Sequence, residues 1–252
     1  MSIKLKLANG EDVCGTWVSL SDPSVIEILC QSGFDFLLVD GEHTPISDDE
    51  LKTVVVAAHG FDTKIIYRVR ENNTAMIKIA LDLGVDGIMI PMVNSKLDAQ
   101  KAVNSSKYPP VGLRGIGPWR ASNYYDDLLD YTANANDRLT LILQIENAEA
   151  LPHLSDILTV DGIDALYVGP ADLSASLGVF PDTSAPIVQE KIQEIISNCQ
   201  QAGMPVGIDI GDIDTLEEFH KKGARLFTYG MDVSYIFEGA RSASALMRKM
   251  LK

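Results

Sequence analysis

Polar residues of a catalytic kind recur in this sequence at one sort of place, the end of an apolar run. FLLVDGEH (36–43) passes from four apolar residues into Asp40, Glu42 and His43, and KIIYR (64–68) stops at Arg68. LILQIE (141–146) carries Gln144 and Glu146, and ALYVGPAD (165–172) reaches Asp172 just past a Gly-Pro step. Trp17 and Ser19 leave GTWVS, and Asp209 ends VGID. An acid after a strand is often no more than the cap of the next helix, and Arg68 could serve as a structural partner for Glu42. Gln144 and Glu146 resist so plain an account. Two residues apart on a strand they share a face, and buried polar side chains without partners are costly.

The chemistry open to such a set follows from its charges. Glu146 and Asp172, on successive strand ends, would repel one another if left bare, and a divalent cation would relieve that repulsion. All-oxygen ligation favours Mg²⁺ or Mn²⁺, with Co²⁺ as a further candidate, water or substrate oxygens completing the shell. Arg68 could donate to a developing oxyanion or to a carboxylate. A zinc cage has no motif, since neither HExxH nor CxxC occurs and the four histidines (His43, His59, His153, His220) are scattered. A Schiff base needs a desolvated lysine at the site, and none of the thirteen lysines ends a predicted strand. No GxGxxG or GxxxxGK[ST] supports nucleotide binding.

The elements that must position these residues are legible in the hydrophobic pattern. Eight strand-like runs, VCGTWVSL, FDFLLVD, KIIYRV, DGIMIP, LTLILQIE, IDALYVG, MPVGIDI and ARLFTYG, alternate with helical segments. These include PSVIEILCQSG, DDELKTVVVAAHG, TAMIKIALDLG and IVQEKIQEIISNCQQAG, with Gly33, Gly60, Gly84 and Gly203 placed as C-caps. Gly33-Phe-Asp, Gly84-Val-Asp, Gly162-Ile-Asp and Gly223-Ala-Arg each precede an even-numbered strand, a weak repeat of two strands and two helices. Continuous apolar strands suit a sheet buried on both faces, and eight of them close into a (β/α)8 TIM barrel as a single domain over residues 1–252. A doubly wound open sheet is the alternative. In such a barrel the strand ends converge on one rim, the C-terminal mouth, where chemistry is built. Residues 108–137 stretch the spacing between the fourth and fifth strands and read as a long loop with a short helix, of the kind that forms lids or binding segments.

Composition bounds the partners. A net charge of −14 with no basic stripe argues against nucleic acid, while leaving an anionic small substrate open to local arginines. No apolar run approaches the ~20 residues of a membrane span, and MSIKLKLANGED lacks the core of a signal peptide, so a cytoplasmic location is expected. Cys14, Cys30 and Cys199 lack metal-ligand spacing and each suits a small buried position.

With these residues in hand, the sequence resembles the HpcH/HpaI family of metal-dependent pyruvate aldolases. The likeness runs from GTWVSLSDP (15–23) through DGEHTP, YRV, IPMV, YPPVGLRG, QIEN and VGPADLSASLG to the last strand. It implies a TIM barrel whose final helix is exchanged between neighbours, in a homohexamer of dimers or trimers. It implies that Glu146 and Asp172 hold the metal, that Arg68 stabilises an enolate, and that His43 with Asp40 forms an acid/base dyad. It places pyruvate's carboxylate against Gln144 and the backbone of Gly169, Pro170 and Ala171, with Trp17 lining the same pocket. The implied reaction is reversible cleavage of a 4-hydroxy-2-oxo acid to pyruvate and an aldehyde. An enzyme that decarboxylates oxaloacetate and captures the enolate, like macrophomate synthase, is the alternative on the same residues. Two stretches depart from the family pattern, Arg70 where many relatives have proline and GPWRASNYYDD (117–127), and both are expected at the aldehyde half of the site or at a subunit boundary.

Overall fold

The computed structural model describes residues 1–251. Eight parallel strands, β1 (Val13–Val18), β2 (Phe36–Asp40), β3 (Lys64–Arg68), β4 (Gly87–Ile90), β5 (Thr140–Ile145), β6 (Ala165–Val168), β7 (Val206–Ile210) and β8 (Leu226–Met231), pair in sequence order and close as a barrel. Each falls within one of the eight apolar runs, except that β8 runs one residue past its own to Met231. Around them lie α1 (Ile3–Ala8), α2 (Pro23–Gln31), α3 (Asp48–Ala57), α4 (Thr74–Leu83), α5 (Lys96–Ser106), α6 (Leu128–Arg138), α7 (Leu154–Ile157), α8 (Pro170–Ser176), α9 (Pro186–Ala202), α10 (Leu216–Lys222) and α11 (Asp232–Met250). Side-chain oxygens of Asp22, Ser47, Asn73 and Ser95 accept first-turn N–H groups of α2, α3, α4 and α5, fixing where those helices begin. Gly84 and Gly203 cap α4 and α9 in the left-handed conformation, as the sequence predicts.

Alternation along the strands divides the core in two. Outward residues such as Leu37, Val39, Ile65, Ile88 and Leu143 pack under the helices. Inward residues, Val13, Phe36, Leu38, Ile66, Met89, Ile142, Tyr167 and Leu226, fill the barrel. Close packing there needs a residue without Cβ at position 207, where a Cβ would lie 2.6 Å from Leu226 Cδ2 and 2.9 Å from Tyr167 Cδ2. The same inward period continues upward from Leu38 to Asp40, from Ile66 to Arg68, from Ile142 to Gln144 and from Gly207 to Asp209. In register, Asp40 stands opposite Arg68.

The opposite rim carries stabilising ion pairs. Asp35, Asp86 and Asp164, the acids of the Gly-x-Asp repeat, each accept a backbone N–H of the neighbouring odd strand, from Cys14, Ile65 and Leu141 at 2.8–2.9 Å. The preceding glycines all have positive φ. Lys107, fully buried, donates to Asp164 at 3.1 Å and to the carbonyls of Leu139 and Asn136. The N-terminal helix α1, which the sequence pattern did not mark, inserts Ile3 and Leu7 into the inner core and stops the barrel at this end.

Two expectations change here. Residues 108–137 form a loop followed by the helix α6, as expected, but the loop over 108–127 is no lid. Arg114 pairs with Asp82 at 2.6 Å, Arg120 donates to the carbonyls of Leu83 and Val55, and Ala121 N–H bonds Asp82 O. These contacts tie it to the C-terminal ends of α3 and α4, at the rim away from the mouth. Its length follows from polypeptide geometry: α5 ends at that rim and β5 starts there, so whatever joins them stays there. Cys14 is exposed, unlike Cys30 and Cys199, because it faces outward on β1 where α11 offers little cover. Beyond Tyr235 that helix is exposed throughout.

Candidate active site

A cavity of about 500 Å³ opens at the C-terminal mouth. Trp17, Asp40, His43, Arg68, Gln144, Gly169, Pro170, Ala171 and Asp172 line it, and Asp209 completes the set of strand ends. Glu146 lies just behind this wall. Its Oε2 accepts from Gln144 Nε2, and its Oε1 accepts the N–H of Met92 at 2.8 Å. Met92 has φ of 54°, a strained backbone for a side chain of that kind, and this turn aims its amide at the carboxylate. Gly169 is glycine for a related reason: a Cβ there would lie 2.8 Å from Glu146 Oε2 and 2.9 Å from Gln144 Nε2.

Arg68 is the hub. Its Nε and Nη2 reach Asp40 Oδ1 at 3.0 and 2.9 Å, its Nη1 lies 3.1 Å from Glu42 Oε2, and its guanidinium stacks 4.4 Å from the centre of the Trp17 ring. The contact with Glu42 is charge proximity without hydrogen-bond alignment, since Glu42 Oε2 is buried and has no hydrogen-bond partner. Trp17 is held in turn by its Nε1–H, which donates to Asp209 Oδ1 at 2.8 Å. Thr228 Oγ1 donates to the same oxygen, and Tyr167 shares a hydrogen bond with Thr228 beneath.

The pairing of Asp40 with the His43 ring differs from expectation. Asp40 Oδ1 accepts the backbone N–H groups of Glu42 and His43 at 3.0 and 3.3 Å, besides Arg68, so it shapes the loop that carries the histidine. The carboxylate found near the imidazole is Glu42, with Oε2 3.8 Å from Nε2. Arg70 reinforces this loop by donating to the carbonyls of Gly41 at 3.3 Å and Ile46 at 3.1 Å. Of the two divergent stretches, then, only Arg70 adjoins the mouth. The His43 side chain itself is 63% exposed and free to meet a substrate.

Electrostatics mark the acids as strained. Burial pushes the Glu146 carboxyl up to about 7, with repulsion from Glu42 and Asp172 adding to it and the Met92 N–H and Arg68 opposing it. Burial also raises Glu42, against the pull of Arg68. Among the described residues no three His, Cys, Asp or Glu side chains gather closely enough to hold a metal alone. Two carboxylates with water and substrate oxygens do fit a hard divalent cation, and the repulsion borne by Glu146 is what such an ion would relieve. Gln144 Oε1, buried and unpartnered, is one more oxygen beside them. Among the described residues no lysine lines the cavity. The fully buried Lys107 is at the other rim, so the site holds no Schiff-base amine.

Comparison with known proteins agrees with this geometry. A protein named hydroxypyruvate/pyruvate aldolase from Roseovarius nubinhibens is 34% identical over 98% of this chain and 96% of its own length. One named 4-hydroxy-2-oxo-heptane-1,7-dioate aldolase from Shigella sonnei is 35% identical over 97% of this chain and 93% of its own. The crystal structure of an HpcH/HpaI aldolase/citrate lyase family protein from Burkholderia cenocepacia superposes with a TM-score of 0.92, at 32% identity and 98% coverage of both chains. The family model described as HpcH/HpaI aldolase/citrate lyase matches residues 14–238, all of the barrel strands but Val13 and every residue of the cavity wall, and the chain belongs to that family.

Proposed function

We propose that this protein is a carbon–carbon lyase that reversibly cleaves a 4-hydroxy-2-oxo acid to pyruvate and an aldehyde. The observation that carries the reading is the convergence, at one barrel mouth, of a desolvated guanidinium with an acid pair and an exposed imidazole. The relatives' printed names point the same way.

Glu146 and Asp172 would hold a divalent cation, Mg²⁺ or Mn²⁺ before Co²⁺, and such an ion supplies Lewis acidity to a keto oxygen. Pyruvate's carboxylate is assigned to Gln144, which has a second amide N–H to give, and to the turn at Gly169. Pro170 has no N–H, so the backbone donors of that turn are Ala171 and Asp172. Arg68 donates to the keto oxygen as negative charge develops there. Its position is fixed beforehand by Asp40 and by the Trp17 ring, so little reorganisation is needed during reaction. His43 takes the proton of the 4-hydroxyl, directly or through a water, and Glu42 rather than Asp40 steadies the imidazolium. The aldehyde then departs and the three-carbon fragment is protonated to pyruvate.

Exchange of pyruvate's methyl protons for deuterium tests the core of this scheme without any aldehyde. Chelation should abolish exchange and added Mn²⁺ restore it, and Arg68→Ala should slow it by roughly 10². Undiminished exchange after chelation rejects the cation, and undiminished exchange in Arg68→Ala returns that residue to a structural ion pair.

The chain is further proposed to work as a homohexamer in which α11 packs on a neighbouring copy. What supports this is the run of exposed apolar residues on that helix, Ile236, Phe237, Leu246, Met247 and Met250. No helix among the described residues is long and apolar enough to cross a membrane.

A further inference from the structure

The mouth cavity has two halves of opposite character. The half assigned to pyruvate has Arg68, Gln144 and the Gly169 turn. The remaining wall, where the aldehyde portion of a substrate would lie, includes Asp209, Tyr229, Ser234 and Glu238. Asp209 is on the inner face of β7. Its Oδ1 takes both Trp17 Nε1 and Thr228 Oγ1, at 2.8 and 2.6 Å, which locks the carboxylate in place. Among the described residues no hydrogen bond engages Oδ2, which is left to accept one from a ligand. Glu238 joins from the second turn of α11.

The positive charge of the cavity is already committed. Among the described residues the basic side chains that line it are Arg68 and His43. Arg68 is matched by Asp40 at 2.9 Å and by Glu42 at 3.1 Å, and His43 has Glu42 within 3.8 Å. A second carboxylate at the far end of a substrate would therefore meet Asp209 and Glu238 with no unmatched guanidinium or ammonium among the described lining residues, Arg70 lying outside the lining and turned onto the carbonyls of Gly41 and Ile46. A substrate hydroxyl, by contrast, could donate to Asp209 Oδ2.

We infer that this chain selects an uncharged, hydroxyl-bearing aldehyde and discriminates against an aldehyde that carries a carboxylate, with Asp209 and Glu238 as the specificity-determining residues. The inference rests on the lyase reading above and deepens it. Like charges a few ångströms apart in partly solvated surroundings are worth on the order of three- to tenfold each, and specificity gained by repulsion is as effective as specificity gained by contact.

The test uses the full chain loaded with Mn²⁺ at saturating pyruvate, comparing kcat/KM for glyceraldehyde with that for succinic semialdehyde. Glyceraldehyde should be favoured by about tenfold or more, and raising the salt concentration should narrow the ratio. Asp209→Asn, which keeps an acceptor for Trp17 and Thr228, and separately Glu238→Gln on the exposed α11, should each shift the ratio toward the semialdehyde by roughly three- to tenfold. A native ratio near unity or favouring the semialdehyde, or a ratio unmoved by both substitutions, overturns the inference. Methyl-proton exchange of pyruvate in the native chain, measured in parallel, tells the two readings apart. Exchange with the wrong selectivity removes only the acceptor assignment, whereas no exchange removes the lyase assignment with it.

Discussion

Glu146 illustrates how a single residue can be right for chemistry and wrong for folding. Its carboxyl titrates near 7 in the folded protein against 4.5 when exposed. Between those values the folded state binds more protons than the unfolded one, so stability falls as pH rises through that window and the penalty is fully present above 7. The shift corresponds to at most about 3 kcal/mol. Glu146→Gln should therefore melt higher than the native chain at pH 8 in the presence of a chelator, with the gap closing toward pH 4.5. The replacement can be satisfied locally: Gln144 Oε1, now without a partner, would accept from the new amide once the Gln144 side chain turns over. Thermal melts across that pH range decide it, and a variant less stable than the native chain at pH 8 would mean that the carboxylate is structural. At this scale the sequence revealed which residues meet, since period-2 alternation forces Asp40, Arg68, Gln144 and Asp209 inward. It did not reveal which atoms meet. Asp40 engages backbone N–H groups and Arg68 instead of the His43 ring, and Met92 joins the site through a backbone twist that no residue type announces.

Among elements, the strands were legible because each is a continuous apolar run bounded by turn residues, and the four main helices because their caps and C-terminal glycines are explicit. The helix α1 was not, since a six-residue segment gives too few turns for a periodic signal. Residues 108–137 do hold a loop and a helix, α6, as expected, but the lid or binding role that such length suggests fails, because the rim is dictated by where α5 ends. The Gly-x-Asp repeat also proved to be more than punctuation: each acid ties the start of its own strand to the strand beside it. Asp164 bears the heaviest duty, because Lys107 is buried with it. Asp164→Ala should cost about 2 to 4 kcal/mol in urea denaturation, leaving a buried ammonium without its counter-charge and the Leu141 N–H without its acceptor. A loss below about 0.5 kcal/mol would show that Lys107 simply sheds its proton, a response its lowered pKa permits.

For the molecule as a whole, α11 is the element proposed to decide the assembly. If its apolar residues pack on neighbouring copies, each buried side chain contributes roughly 1.5 to 3 kcal/mol, and light scattering should report a hexamer that dissociates when Phe237 and Leu246 are both replaced by Asp. A native monomer would refute the exchange of helices. The barrel also divides its labour along one axis. Ion pairs and the α1 stopper secure the rim where the strands begin, and the candidate site stands on the last inward layer at the other. Below that layer the staves are held by Leu226 and Phe36, apolar side chains that have no hydrogen bond to give to the residues at the top. If acceptor preference rests on one or two crown positions, as proposed, it can change there while the packing underneath stays as it is.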